Sequence, residues 1–508
     1  MAPTTRLSVV ASLLSSTIAF PLSSRHPSSS NSTTLPSNCT APSITFGACP
    51  EGAPSQLECA TYSVPIIWDE PEGTKFDLGL VRLPANANST KKIGSLFINP
   101  GGPGGAASDF IGSLVLGVLP LPDGLTDSFD LIGLDPRGVG LSNPVQCDQE
   151  IWAERVSWFP KTQAEYDTLV DKNKRYGESC RNQTGPLLEY LDTISVAKDH
   201  EAVRIALGNE PLNMVGISYG SQLGAQYAQL FPDNIRTLVL DGMLQHSQSV
   251  ASNVLIESLG YSIGLQHFFK WASEEETSPL KGEDVAEICA GLLTNASTTP
   301  IPAPSCDGTT CRTDVNAEEL LFNAQAALVF KDPRITGGLS TWGDLASAIY
   351  NATKGDASAF STRFDDASTA ASTAIYCLDL NHDPSVYDFN YIQAKQHMFD
   401  TFQPLSQGAG QSTSLLHSCI GWPFATRNPP KKLDVNTKTT ILSVNSDADP
   451  STAYPWAIGM LEEIRNKVFI TRHGDGHTSF PIGGETAAAI AQYLITGEAP
   501  DNGLVLNS

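Results

Sequence analysis

Short apolar runs alternate with stretches in which apolar residues recur at helical spacing. "GSLFINP" (94–100), "FDLIGLD" (129–135), "LNMVGIS" (212–218) and "TLVLDG" (237–242) are each too short for a helix, and they end at Gly, Pro, Ser or Asp. Such runs read as strands buried on both faces, the mark of a parallel sheet. Between them, "DTISVAKDHEAVRIALG" (192–208) places Val196, Val203, Ile205 and Leu207 on one broad helical face. Upstream, "LECATYSVPIIWD" and "DLGLVRLP" read as two further strands. Strands alternating with helices predict an α/β domain with helices on both faces of a mostly parallel sheet.

The rhythm changes after Gly242. Residues 244–434 show helical stretches, proline-rich loops and half of the cysteines, and they lack the short buried runs. Strand-like runs resume at "TTILSVNSDAD" (439–449) and "KVFITRHGDGH" (467–477), followed by an amphipathic helix, "GETAAAIAQYLITG". The pattern predicts a core of residues 45–243 and 435–508, with a large, mainly helical cap at 244–434 inserted before the last two core strands.

The ends and the composition add an expected location. Residues 1–20 carry one charge, Arg6, then an apolar and small-residue run too short to span a bilayer, which reads as a signal peptide. Residues 21–44 are rich in Ser, Pro and Thr and read as a flexible leader. Ten cysteines without a C-x-x-C pair, and Asn-x-Ser/Thr acceptors at Asn31, Asn38, Asn88, Asn182, Asn295 and Asn351, fit a secreted, oxidised glycoprotein. A net charge of −23 argues against nucleic acid or an anionic membrane as partner.

The candidate chemistry lies where a strand meets a helix. In "MVGISYGSQLG", Gly216 and Gly220 flank Ser218. A sharp strand-to-helix turn strains its corner residue and needs small neighbours on both sides. Such a turn lifts the serine hydroxyl from the sheet edge and turns the amide of Tyr219 toward developing negative charge. A nucleophilic serine requires a base and an orienting acid, and in this architecture they follow in the order acid, then histidine. "NSDADPST" offers Asp447 and Asp449, and "RHGDGHTS" offers His473 and His477. The glycine-rich "NPGGPGG" (99–105) lets a second main-chain amide approach a substrate. No G-K-[ST] or dinucleotide fingerprint is present, and His473 and His477 sit in a glycine loop without a third ligand signature, so no cofactor or metal is implied.

Taken in order, these segments resemble the tripeptidyl aminopeptidase branch of the prolyl-aminopeptidase-like α/β-hydrolases. "NPGGPGG" resembles the oxyanion loop of that branch, "DPRGVGLS" (135–142) its D-x-R-G-x-G-x-S segment, "GISYGSQLGAQYAQLFP" its elbow, "DADPSTAYPWA" its acid turn and "GDGHTS" its histidine loop. Ala453 departs from the pattern, standing where a second proline is usual. The resemblance selects Asp449 and His477 as partners of Ser218, and Gly102 and Tyr219 as oxyanion donors. It implies disulfides Cys49–Cys59, Cys147–Cys180 and Cys377–Cys419, and leaves Cys39, Cys289, Cys306 and Cys311 open. Arg137 and Asp199 resemble framework positions of the family and read as a structural ion pair or loop anchor.

The resemblance implies a secreted serine exopeptidase that acts on peptide N-termini. Recognition of a free α-amine calls for a carboxylate near the site. Asp379, in "AIYCLDLNHD", resembles a Cys-x-Asp stretch of the family and is the expected amine-binding residue, whereas Glu274, Glu275 and Glu276 read as a solvated helix end. An esterase acting on small esters would use the same triad. A catalytically silent binding protein would be expected to lack one of its members.

Overall fold

A computed structural model describes residues 43–507, with the exception of 88, 332–340 and 365–366. The expected signal peptide and nearly all of the leader, together with Cys39, Asn31, Asn38 and Asn88, lie outside the described residues. The first part of the chain runs β1 (Gly47–Ala48), β2 (Glu58–Pro65), β3 (Lys75–Leu83), β4 (Gly94–Asn99), α1 (Ala107–Val115), α2 (Leu125–Ser128), β5 (Phe129–Leu134), α3 (Gln149–Ala153), α4 (Gln163–Thr184), α5 (Thr193–Ala206), β6 (Leu212–Ile217), α6 (Tyr219–Leu230) and β7 (Ile235–Asp241). A mainly helical stretch follows, with α7 (Val250–Glu274), α8 (Val285–Ala296), the two-residue strands β8 (Ile301–Pro302) and β9 (Asp314–Val315), α9 (Ala317–Ala326), α10 (Trp342–Thr353), α11 (Ala367–Asp379), α12 (Phe389–Phe402) and α13 (Gln411–Cys419). The chain closes with β10 (Ile441–Ala448), α14 (Tyr454–Leu461), β11 (Lys467–Asp475), α15 (Gly484–Thr496) and β12 (Leu504–Asn507).

Ten strands form one sheet in the order β1-β2-β3-β5-β4-β6-β7-β10-β11-β12. The first four in that order pair antiparallel, and every pair from β5–β4 onward is parallel. All six residues of β5 and of β6 are buried, as continuous apolar runs covered on both faces require. Successive residues point to opposite faces. Met214 and Leu240 join Val196, Val203, Leu223 and Tyr227 on the side of α5 and α6. Val215 and Val239 join Ile111, Ile490 and Tyr493 on the side of α1 and α15.

Local chemistry fixes the helix ends. The Asp192 side chain accepts from the Ser195 amide and caps α5, and α15 stops at Gly497, whose φ of 76° is left-handed. The sheet has one strand more after the cap than the sequence pattern predicts. β12 is four residues long, alternates half-buried and exposed positions, and pairs only with β11 at the sheet edge, so it has no buried run to betray it. Disulfides join Cys49–Cys59, Cys147–Cys180 and Cys377–Cys419, and a fourth joins Cys306–Cys311. Arg137 and Asp199 form a fully buried bidentate pair at 2.7 Å, with Arg137 Nη1 also donating to the carbonyls of Ile66 and Tyr190.

Candidate active site

Ser218 is the one residue between β6 and α6, and it carries φ 57° and ψ −122°. A non-glycine residue there is strained by roughly 1–3 kcal/mol and persists only where its surroundings over-determine it. The flanking glycines supply that constraint. A Cβ on Gly216 would lie 2.1 Å from the Gly220 carbonyl, and one on Gly220 would lie 2.7 Å from the Asn99 carbonyl. Ser218 is half-buried, between fully buried Ile217 and Tyr219.

The glycine loop closes on the same corner. A Cβ on Gly101 would stand 2.3 Å from the Ile217 carbonyl and 2.9 Å from the Tyr219 amide nitrogen. The Gly101 carbonyl accepts from the Gly105 amide at 3.1 Å. Because the peptide is planar and trans, this turns the Gly102 N–H the opposite way. The Ser218 carbonyl is likewise held, by the amide and the hydroxyl of Ser221 at 2.8 and 2.6 Å, which fixes the plane carrying the Tyr219 N–H. Among the described residues neither the Gly102 nor the Tyr219 amide donates to a protein acceptor.

At the ends of β10 and β11, His477 Nδ1 lies 2.9 Å from both carboxylate oxygens of Asp449. Asp449 also accepts from the amides of Ser451, Thr452 and Thr478 and from the Thr452 hydroxyl. Burial pushes its pKa up, but the neighbouring His477 and these donors outweigh burial and hold it below the ordinary carboxylate value. With Nδ1 engaged, Nε2 is the free nitrogen of a ring that keeps 13% of its side-chain surface. Asp447 and His473 pair with each other instead, at 2.7 Å on the surface, with 36% and 68% of their side chains exposed.

One position that sequence reasoning missed joins the two loops. The Asp241 carbonyl, at the end of β7, accepts from the Ser218 amide at 2.8 Å. Its buried side chain accepts, through Oδ2, from the amides of Ser479 and Phe480, just after His477. The next residue, Gly242, packs so closely that a Cβ there would lie 2.7 Å from Thr478 and 3.4 Å from His477 Cε1. The end of β7 thus brings the Ser218 corner and the His477 loop together. The signal was the "LDG" that ends an apolar strand; nothing in sequence told its burial.

Asp379, the expected amine-binding residue, is buried. It ends α11, is 3% exposed, and accepts from the Thr193 amide at 3.1 Å, from the Thr193 hydroxyl, and from Gln222 Nε2 at 3.2 Å. Burial, then nearby Asp192, raises its pKa to about 7. Its oxygens accept from Thr193 and Gln222 in the core behind the elbow, and an amine could reach them only by displacing these partners. Glu276 is exposed and pairs with Lys281, as a solvated helix end does.

Two family models match the chain, an alpha/beta hydrolase fold over residues 94–268 and a TAP-like protein over residues 403–505. "Serine protease Hip1" of Mycobacterium tuberculosis is 26% identical over 471 residues, 89% of this chain and 87% of that one. "Tripeptidyl aminopeptidase" of Streptomyces lividans is 25% identical over 447 residues, 83% and 78% of the two chains. "Carboxylesterase B" of Mycobacterium tuberculosis is 26% identical over 492 residues, 91% and 90%. The chain has the α/β-hydrolase fold and is similar over most of its length to a tripeptidyl aminopeptidase and to relatives named as a serine protease and a carboxylesterase.

Proposed function

We propose that the protein is a secreted serine exopeptidase in which Ser218, His477 and Asp449 form the catalytic triad. The observation that carries this reading is the Asp449–His477 pair at 2.9 Å, tied through Asp241 and Gly242 to the strained corner that bears Ser218. His477 Nε2 takes the proton of Ser218 Oγ as the oxygen attacks a carbonyl carbon. Asp449 holds the tautomer and stabilises the imidazolium. Negative charge developing on the carbonyl oxygen is met by the Gly102 and Tyr219 amides, whose planes are fixed before substrate arrives. Collapse expels the leaving amine, protonated by His477, and leaves an acyl-enzyme on Ser218. Water, deprotonated by His477, then releases the acyl group.

The peptide reading rests on the relatives named as a serine protease and a tripeptidyl aminopeptidase. A relative named as a carboxylesterase supports an esterase on the same triad. Four disulfides and the exposure of Asn182, Asn295 and Asn351 support export. Residues 244–434 act as the cap that sets specificity, because their two ends adjoin β7 and β10 beside the site. Tripeptidyl and single-residue anilides, the same peptides with blocked N-termini, and short acyl esters distinguish the readings. Preference for free-amine tripeptides supports the exopeptidase, and turnover of the esters alone replaces it with the esterase.

A further inference from the structure

Two side chains of α11, Ser372 and Asp379, are seven residues apart, two helical turns along one face. Ser372 holds the loop that carries the Gly102 amide, and Asp379 reaches the helix that begins at Tyr219. Ser372 Oγ donates to the Pro103 carbonyl. Beside it, the glycine loop lies directly on the helix, so that a Cβ on Gly104 would stand 2.6 Å from the Ser368 carbonyl and 2.9 Å from the Ser372 amide nitrogen. Two turns on, Asp379 takes both donors of Thr193 and reaches Gln222 in the first turn of α6. Thr193 has one hydroxyl proton, and it goes to Asp379 while that carboxylate is ionised. The Tyr219 phenol, 2.6 Å from Thr193 Oγ1, therefore donates to that oxygen. The residue whose main-chain N–H faces the site has its side chain tied, through one threonine, to the cap.

A second element braces the same loop. The Cys377–Cys419 disulfide joins α11 to α13, and Gln411, the first residue of α13, donates through Nε2 to the Gly102 carbonyl at 3.3 Å. Three successive carbonyls, those of Gly101, Gly102 and Pro103, are thus each held, the last two by cap side chains. The glycine loop is wedged between the elbow, on which Gly101 packs, and α11, on which Gly104 packs.

We infer that α11 is a rib that sets the oxyanion hole, with Ser372 and Asp379 as positioning residues for the Gly102 and Tyr219 amides. The inference rests on the triad and oxyanion roles proposed above. It gives the cap a part in the rate of reaction, separate from any contact with substrate. Donors aimed in advance at the developing charge act only in the transition state, so a loosened rib lowers kcat and leaves ground-state binding in place.

The test compares wild type with Asp379→Ala, Asp379→Asn and Ser372→Ala on a small chromogenic substrate. It also measures affinity for a peptidyl trifluoromethyl ketone, whose adduct places an oxyanion in the hole. Asp379→Ala is expected to lower kcat about a hundredfold, the lower end for loss of one oxyanion donor, with KM within about twofold and ketone affinity falling in step with kcat. Asp379→Asn keeps an acceptor for the Thr193 amide, and its Nδ2 donates to Thr193 Oγ1, freeing the threonine proton for Tyr219, with the Gln222 amide turned so that its oxygen faces Nδ2. It should recover most of the loss. Ser372→Ala removes one hydroxyl and should lower kcat about tenfold with KM unchanged, and it decides the matter alone if Asp379→Ala does not fold. Unchanged kcat in folded Asp379→Ala or Ser372→Ala, or a loss confined to KM, overturns the rib. Ser218→Ala, assayed alongside, separates the layers, because activity that survives in it removes the triad reading itself.

Discussion

Gly101→Ala probes the candidate oxyanion loop without replacing any candidate catalytic side chain. Gly101 has φ 88°, and an added Cβ would sit 2.3 Å from the Ile217 carbonyl, 2.9 Å from Ser218 Cβ and 2.9 Å from the Tyr219 nitrogen. Ordinary contact begins near 3.4 Å, so the loop must retreat from the elbow by about 1 Å. The left-handed backbone costs the alanine roughly 1–2 kcal/mol, and overpacking about 1–3 kcal/mol more. Most domains tolerate that sum only in part, so a lower unfolding midpoint is expected with the fold retained at 25 °C. The functional cost is larger. A retreat of about 1 Å takes the Gly102 amide out of hydrogen-bond reach of an oxyanion, and losing one such donor lowers kcat by roughly 10²–10³-fold, about 2.7–4 kcal/mol. Steady-state kinetics on a chromogenic substrate, normalised to folded protein by circular dichroism, reads this directly. A folded Gly101→Ala protein with kcat within threefold of wild type would refute the placement of the oxyanion hole between this loop and the elbow.

Three further outcomes follow from the site and its supports. The folded-state pKa of Asp379, raised to about 7, exceeds its ordinary value of about 3.9, so its proton favours the folded chain; that stabilisation is complete below about pH 4 and is lost as pH rises through 7. Urea midpoints taken from pH 4 to 8 should therefore fall for wild type and flatten for Asp379→Asn, and identical slopes would contradict the burial argument. Asp241→Ala strips two buried amides of their acceptor and should cost about 2–5 kcal/mol in denaturant unfolding, whereas Asp241→Asn, which keeps one acceptor oxygen, should cost less than half of that. Replacing Cys377 and Cys419 together by serine opens a loop spanning a separation of 42 residues and should lower stability by roughly 2–4 kcal/mol, read by thermal melting.

The core and the candidate catalytic loops were legible because their signals are local. β5 and β6 are short, mostly apolar runs, and Gly216 is demanded by the carbonyl of Gly220 four residues on, although Gly220 itself is demanded by the distant Asn99. The acid turn and the histidine loop each follow a strand, and their glycines and proline mark them as turns. The surroundings of Asp379 were not legible because a helix shows its period in sequence but not which neighbour its face will meet. Its partners, Thr193 and Gln222, are 186 and 157 residues away. The contact of Ser372 with Pro103 spans 269 residues and leaves no local trace. Asp241 was hidden for the opposite reason: an acidic residue at the end of a strand ordinarily reads as a solvated turn, and here it is buried against the amides of Ser479 and Phe480.

The central claim is that Ser218 is the nucleophile activated by His477. A fluorophosphonate probe tests it most directly, by forming a stable phosphoryl ester on an activated serine. After incubation of the purified protein with the probe and proteolysis, mass spectrometry should place one adduct on the peptide containing Ser218, with loss of hydrolytic activity in proportion to labelling. Labelling should vanish in Ser218→Ala and slow by orders of magnitude in His477→Ala. Full inactivation with the adduct on another residue, or an active protein that leaves Ser218 unmodified, would contradict the account.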